Sequence, residues 1–277
     1  GVTAVARLPV GRVAAEVAAP FTPTSTWRTA WLAFRREEVR ARRRFAMAWV
    51  FPLVPPLITV TFFSDLTASV ADLPTFPDPS YYDWMAAGAV LLPGMMGAGF
   101  TAVGLAEDLR GGFSERLRLV GAAPAAVTIG RLAFDAARAL PAAALVLLVA
   151  VLMSEDVHPS PAGWAALLAM SGAWAMAWNA LFHLVARISA SPQAPQALLP
   201  LFAPVTFLST VWLPAELMPG WAERIAQANP VSAVTEAARQ WTRGDVDLTV
   251  VAGGIATVAL WSAVMAAALA LVERRRR

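Results

Sequence analysis

The chain has 277 residues, 58% of them apolar, and a mean hydropathy of +0.57; soluble domains average about 45–50% apolar, so composition points to a polytopic membrane protein. It has no cysteine, which excludes disulfides, thiolate metal sites and cysteine nucleophiles together. All 22 basic residues are arginine and the pI is near 10.4, but they cluster at the ends of apolar stretches, where arginine sets membrane topology, so no nucleic-acid partner is expected.

In chain order, residues 1–23 are rich in alanine and valine but lack the continuous apolar core of a secretory signal, and read as a cytoplasmic tail. From Ser25 to Arg44, Trp27, Trp31 and Phe34 fall on one helical face with arginines elsewhere. That pattern predicts an amphipathic helix lying on an anionic lipid leaflet, with a soluble linker helix as the alternative. Residues 1–44 thus form a tail and elbow helix, and 45–277 a transmembrane domain.

Six apolar stretches follow, at 45–64, 84–106, 131–153, 163–186, 197–213 and 248–272. Each comes close to the roughly 20 residues needed to cross about 30 Å of hydrocarbon as a helix. The intervening charges fix a direction. Arg35, Arg36, Arg40 and Arg42 to Arg44 precede the first stretch, Arg110, Arg116 and Arg118 follow the second, Arg187 follows the fourth, and Arg274 to Arg277 end the chain. The 65–83 loop has Asp65, Asp72, Asp78 and Asp83 without an arginine, and Glu155 and Asp156 follow the third stretch. The expected fold is therefore all-α, with six transmembrane helices in the cell membrane and both termini cytoplasmic. Trp84, Trp164 and Trp212 fall at the expected outer ends. Pro52, Pro55, Pro56, Pro93, Pro141, Pro200 and Pro204 sit inside the stretches and predict bent helices.

The polar segment from Glu107 to Arg131 reads EDLRGGFSERLRLVGAAPAAVTIGR. Gly111-Gly112 should break the preceding helix, Ser114 can cap a short one holding Glu115, Arg116, Leu117 and Arg118, Gly121 should end it, and Pro124 opens the next. An exposed short helix of mixed charged and apolar character suits protein docking. Arg131, Asp135 and Arg138 follow on one face and predict an ion cluster at the inner end of the third stretch, since charges there need partners. Asn179 and His183 lie one turn apart in the fourth stretch, placed either for interhelical hydrogen bonds or along a substrate path.

From Phe202 to Gly244 an apolar run ends at Trp212-Leu213-Pro214 and gives way to two short helical pieces. Asn229 and Pro230 read as N-cap and first residue of the second piece, and Gly244 as its stop. Val231, Val234, Ala238 and Trp241 share one face of it, leaving Glu236, Arg239 and Gln240 on others. Each piece is about half the length of a crossing, so the pair must lie in the interface or dip in and return.

Sites for chemistry are scarce. With no lysine there is no Gly-x-x-x-x-Gly-Lys phosphate loop, so ATP is not expected on this chain. His158 and His183 are the two histidines and lie on different segments, so no metal is expected. No Gly-x-Ser-x-Gly appears. An intramembrane enzyme or assembly factor would need a cluster of buried acids or histidines, and a secondary transporter paired broken spans with intramembrane acids.

The ordered set Phe207-Leu208-Ser209, Trp212-Leu213-Pro214, Met218-Pro219-Gly220-Trp221, Asn229-Pro230 and Arg239 with Gly244 resembles the last third of permease subunits of the ABC type-2 exporter family, among them actinobacterial drug and antibiotic exporters. Gly112 to Pro124 is similar to that family's Gly-x-x-Glu-Arg-Leu…Pro segment, with Ala123 where the family often has threonine. The resemblance implies a non-catalytic transport subunit that works with an ATPase subunit, on which ATP and magnesium are bound, and with a second permease, identical or related. It implies that Glu115, Arg116, Leu117, Arg118, Gly121 and Pro124 form the coupling helix that docks on the ATPase. It further suggests Phe207 and Ser209, with Asn179 and His183, as candidates for a substrate path, and Pro214, Met218, Pro219, Trp221, Asn229 and Pro230 as an outer gate. The apolar, aromatic spans suit a hydrophobic or amphipathic cargo.

Overall fold

Ser25 starts the first helix as its position predicts, its Oγ accepting from the Arg28 N–H at 3.3 Å, and α1 runs Thr26–Arg43. The computed structural model describes residues 25–275 except 79, 155, 156 and 245. The expectations for the tail, for Glu155 and Asp156, and for Arg276 and Arg277 lie outside the described residues. The rest is helical, and no strand occurs among the described residues. After α1 come α2 (Ala46–Leu66), α3 (Tyr81–Met96), α4 (Phe100–Arg110), α5 (Phe113–Leu119), α6 (Pro124–Met153) and α7 (Pro161–Ser189). They are followed by α8 (Gln193–Ala197), α9 (Phe202–Phe207), α10 (Gly220–Ala228), α11 (Pro230–Arg243) and α12 (Leu248–Arg275).

Five helical segments among the described residues are long and apolar enough to cross a membrane: α2, α3 with α4, α6, α7 and α12. The expected fifth span at 197–213 is not one of them. Pro195, Pro200 and Pro204 each remove a backbone donor, and the chain answers with α8, a 3-10 turn at Leu199–Leu201 and the six-residue α9. This broken segment still joins the two ends of the bundle, starting just past α7 and reaching Trp212, whose carbonyl accepts from Tyr81 Oη at 2.7 Å. Proline also shapes α2, where Pro52, Pro55 and Pro56 lie in an α-helical stretch bracketed by π-helical turns at Ala46–Val50 and Thr59–Phe63.

Helix α3 is buried nearly all round and packs against both α6 and α7, while α12 stands at the periphery against α7 and α11. In lipid the drive to associate comes from close packing and shared hydrogen bonds, so small residues mark the contacts. Gly94 of α3 faces Ala175 of α7, Gly130 of α6 faces Ala30 of α1, and Gly254 of α12 faces Ala237 of α11. An aromatic stack of Trp174, Trp178, Phe182 and Trp261 fills the space between α7 and α12, and Trp261 Nε1 donates to the Ala177 carbonyl at 2.9 Å.

The structure sorts charge into two ends. One gathers α1, the C-terminal ends of α4, α7 and α12, the whole of α5 and the start of α6, through pairs such as Arg118 with Glu273 (3.9 Å) and Arg187 with Thr128 (2.5 Å). The other gathers residues 64–78, the end of α6 and the start of α7, through Ser154 with Asp83 (2.5 Å) and Arg243 with Asp78.

Two adjacent glycines test the packing. A methyl on Gly254 would overlap Ala237 and come within 3.0 Å of the Ala233 carbonyl, whereas one on Gly253 meets nothing within 4 Å. Gly254→Ala should cost about 1–3 kcal/mol by overpacking, while Gly253→Ala should be neutral or gain about 0.5–1 kcal/mol from its helical preference. Thermal unfolding in detergent, read by tryptophan fluorescence, separates the two.

Candidate functional site

Short helix α5 projects at the arginine-rich end on two glycine-built corners. Gly111 caps α4, and Gly112, at φ 66°, turns the chain so that α5 begins at Phe113. Ser114 therefore lies inside the helix and is not its cap, contrary to expectation; the left-handed glycine does the work of reversal without a side-chain acceptor. At the far end Gly121, at φ 75°, lets its own N–H reach the Arg118 carbonyl (2.9 Å) and that of Ala122 reach Leu117 (3.0 Å), a Schellman closure. Pro124 is then the first residue of α6, where its missing N–H costs nothing. Glu115 and Leu119 are 71% and 78% exposed, and Arg116 is exposed beside them. Leu117 and Phe113 turn the other way, onto a cavity of about 180 Å³ that α5 shares with α1 and α6.

Beneath that cavity lies a hub of charge. Asp108, in the last turn of α4, accepts from Arg36 of α1 (2.7 Å to Nη2) and from Arg131 of α6, with Arg40 of α1 at 3.6 Å. Glu37 of α1, fully buried, accepts from Arg40 at 3.0 Å and pairs with Arg131 at 3.4 Å. Hydrogen bonding to Asp108 raises the pKa of the Arg36 guanidinium and holds it charged. The same guanidinium lies 4.0 Å from the Phe113 ring centroid, so one side chain touches α1, α4 and α5. Gly104 of α4 leaves room for Arg40, whose guanidinium lies where a methyl would be.

Arg131, Asp135 and Arg138 do not form a single cluster. Arg131 belongs to the hub, because Asp108 and Glu37 reach it from other helices. Asp135 and Arg138 lie deeper. Thr101 donates to Asp135 Oδ2 at 2.5 Å, which leaves its oxygen to accept from His183 Nε2 at 2.7 Å. Arg138 pairs with Asp135 at 3.4 Å and donates to the carbonyls of Ala48 and Gly97, each at 2.8 Å. The Thr101 backbone joins the two groups, its carbonyl accepting from Arg131 at 3.3 Å.

Among the substrate-path candidates, Asn179 and His183 are fully buried, Asn179 donating across to the Gly94 carbonyl of α3 at 3.1 Å and within α7 to the Ala175 carbonyl at 2.6 Å. Ser209 is also buried, donating to the Thr206 carbonyl at 2.5 Å. Phe207 alone of the four is exposed, at 55%, with its ring stacked 4.8 Å from that of Trp212.

At the acidic end α10 and α11 form a hairpin that dips inward. Asn229 is the N-cap of α11, its Oδ1 accepting from the Val231 N–H at 2.9 Å, and its Nδ2 donates to the carbonyls of Val205 and Leu208. Pro230 follows as the first helical residue, and Gly244, at φ 80°, closes the helix. The hairpin tip at Asn229 and Pro230 shares a cavity with Trp178 and Trp261, which lie near the middles of α7 and α12, so it reaches far beyond the loop ends. Pro214 is buried, Met218 half-buried, and Pro219 and Trp221 exposed.

Val231, Val234 and Ala238 are buried as their spacing predicts, but so is Arg239, which the face pattern had placed outside. Its guanidinium stacks 3.5 Å from the Trp84 ring centroid, pairs with Glu236 at 2.5 Å and donates to the Thr210 carbonyl at 3.0 Å. Glu37, Asp108 and Thr101 are the polar side chains that sequence reasoning passed over, and the burial of Arg239 was not foreseen. An acid in the last turn of an apolar span was the available signal for Asp108.

Residues 25–241 match the family described as ABC-2 type transporter. A curated relative, the daunorubicin resistance ABC transporter permease protein DrrB1 of Streptomyces coeruleorubidus, is 24% identical over 237 residues, covering 84% of this chain and 78% of that protein.

The hub can be tested apart from any activity. Asp108→Asn leaves buried Arg131 short of a charge partner and should cost about 3–5 kcal/mol. Arg35→Gln removes a pair whose arginine is 54% exposed, and should stay within about 0.5 kcal/mol. Equal thermal midpoints in detergent for the two variants would rule out a structural role for the hub.

Proposed function

The chain belongs to the ABC-2 type transporter family, and on that premise we propose that it is the permease subunit of an ATP-driven exporter, moving a hydrophobic or amphipathic cargo outward. The observation that carries this reading is α5. It stands free on one side, with Glu115, Arg116 and Leu119 exposed, and is tied on the other to α1 through Phe113 and Arg36 and to α12 through Arg118 and Glu273. A partner gripping α5 would therefore move two further helices with it. That partner is an ABC ATPase subunit carrying ATP and magnesium; Glu115 and Arg116 present the coupling surface, Leu117 and Arg118 seat the helix from its inner side, and Gly121 and Pro124 fix its end.

The arginine-rich end faces the cytoplasm, both termini lie there, and α1 rests on the inner leaflet of the cell membrane. The broken segment at 193–213 supplies a sixth crossing, between α7 and the α10–α11 hairpin. A second permease, identical or related, completes the path. The relative's name, which speaks of daunorubicin resistance, supports a drug as the cargo; an antibiotic or lipid-like molecule would share the hydrophobic or amphipathic character proposed. Moving such a transporter from 1:99 to 99:1 between its two access states takes about 5.5 kcal/mol of differential binding. Since this chain has no phosphate loop, that energy is supplied by ATP on the partner.

Purification in mild detergent should bring down a nucleotide-binding subunit in fixed ratio. Glu115→Ala, at a site 71% exposed, should leave the melting temperature unchanged while lowering ATP-dependent efflux about tenfold, the effect of losing one contact of about 1.4 kcal/mol. Full efflux by the variant would remove α5 from the coupling role. A chain that repeatedly purifies alone, without ATPase activity, would overturn the transporter assignment.

A further inference from the structure

A cavity of about 500 Å³ opens beside the hairpin tip, between α10, the broken segment at 193–207, α7 and α12. Trp178, Phe182, Leu201, Ile225 and Trp261 make its walls, and its volume falls in the range of small-molecule sites, about 300–1,000 Å³. The one charged residue on it is Arg224 of α10.

That arginine is exposed at the cavity mouth and differs from the paired arginines of the bundle. Arg36, Arg131, Arg138, Arg239 and Arg243 each pair with a carboxylate. Arg224 donates its Nε–H back to the Gly220 carbonyl at 3.2 Å, and no carboxylate among the described residues pairs with it. Its neighbour Glu223 is bonded to Gln227 at 3.2 Å. Arg224 stands five residues before Asn229, about 7 Å nearer the acidic end at 1.5 Å per residue. A cation on a helix that enters the bilayer needs an anion or water, and guanidinium binds phosphate and carboxylate in forked geometry. The apolar wall supplies a second sign. Trp178 and Trp261 stack with their rings 6.2 Å apart and give the chain of an amphiphile a flat apolar surface.

We propose that this cavity binds an anionic amphiphile, with its acid group on Arg224 and its apolar chain laid along Ile225, Trp178 and Trp261 toward the hairpin tip. The acid is a phosphodiester or a carboxylate on an aliphatic chain. The head sits on the acidic-end side and the chain runs toward mid-bilayer, the orientation of a molecule taken from the leaflet at that end. Binding is a property of this chain and is tested without ATP or a nucleotide-binding subunit, so its failure and that of the transport assignment are separate results.

The test is native mass spectrometry of the purified full chain in detergent, titrated with phosphatidylglycerol, oleate or phosphatidylcholine. At least one of the two anions should give a one-to-one adduct about tenfold tighter than phosphatidylcholine; which of them does so distinguishes a lipid headgroup from a free fatty acid. Arg224→Gln should abolish that preference, Arg224→Lys should retain part of it, and Ala228→Trp should block binding by filling the cavity. Melting temperatures establish that each variant is folded, and Arg224→Gln, at an exposed position, decides the matter should Ala228→Trp fail to fold. Equal binding of all three amphiphiles, or an unchanged preference in Arg224→Gln, would overturn the proposal.

Discussion

Every broken span in this protein leaves backbone groups that hydrocarbon cannot solvate, and the bundle is arranged around supplying them with partners. Pro93 and the Gly97–Gly99 corner interrupt the second crossing. Ser171 donates to the Val90 carbonyl, Asn179 to that of Gly94 and Arg138 to that of Gly97. Asn229 does the same for Val205 and Leu208, where the proline-broken segment runs out of its own donors. These polar side chains look anomalous in an apolar sequence. Each binds a backbone carbonyl near an interruption in another element, and α3, which receives two of them, is buried nearly all round.

The same constraint governs the charges. A buried ion left without a partner is costly. Asp108 and Glu37 meet three arginines between them, and Arg239 meets a carboxylate, two carbonyls and an indole face. At the arginine-rich end this pairing binds α1, α4 and α6 into one unit. At the acidic end it fastens α11 to α3 through Arg239 on Trp84, and to residue 78 through Arg243.

Local chemistry was legible in the sequence and distant pairing was not. Asn229-Pro230 and Gly244 mark the limits of α11 because a cap, a fixed φ and a left-handed stop act within a few residues. Gly121 and Pro124 are legible at the end of α5 for the same reason. Ser114 misled because a left-handed glycine two residues earlier had already turned the chain. Hydropathy summed over 197–213 gives a span but says nothing of Pro200 and Pro204 inside it and Pro195 just before it, which divide the segment into short pieces. The i, i+4 spacing of Arg131 and Asp135 permits a pair, yet Asp108 and Glu37 reach Arg131 from other helices. Arg239 finds the Trp84 carbonyl 155 residues away, a partner no helical-face pattern contains.

Arg138 holds the carbonyls of Gly97 and Ala48 with one guanidinium. The first carbonyl lies at the corner between α3 and α4, the second in the π-helical turn that opens α2. Both are places where the chain can swivel. Helix α4, with 11 residues, is an arm about 16 Å long pivoted at that corner, and a tilt of about 10° would carry its tip about 3 Å. With the two pivots pinned to one rigid fork, such a swing cannot occur in the second crossing alone. The first must turn in step, as two doors hung on a common pin, so the bundle has fewer independent movements than it has bends.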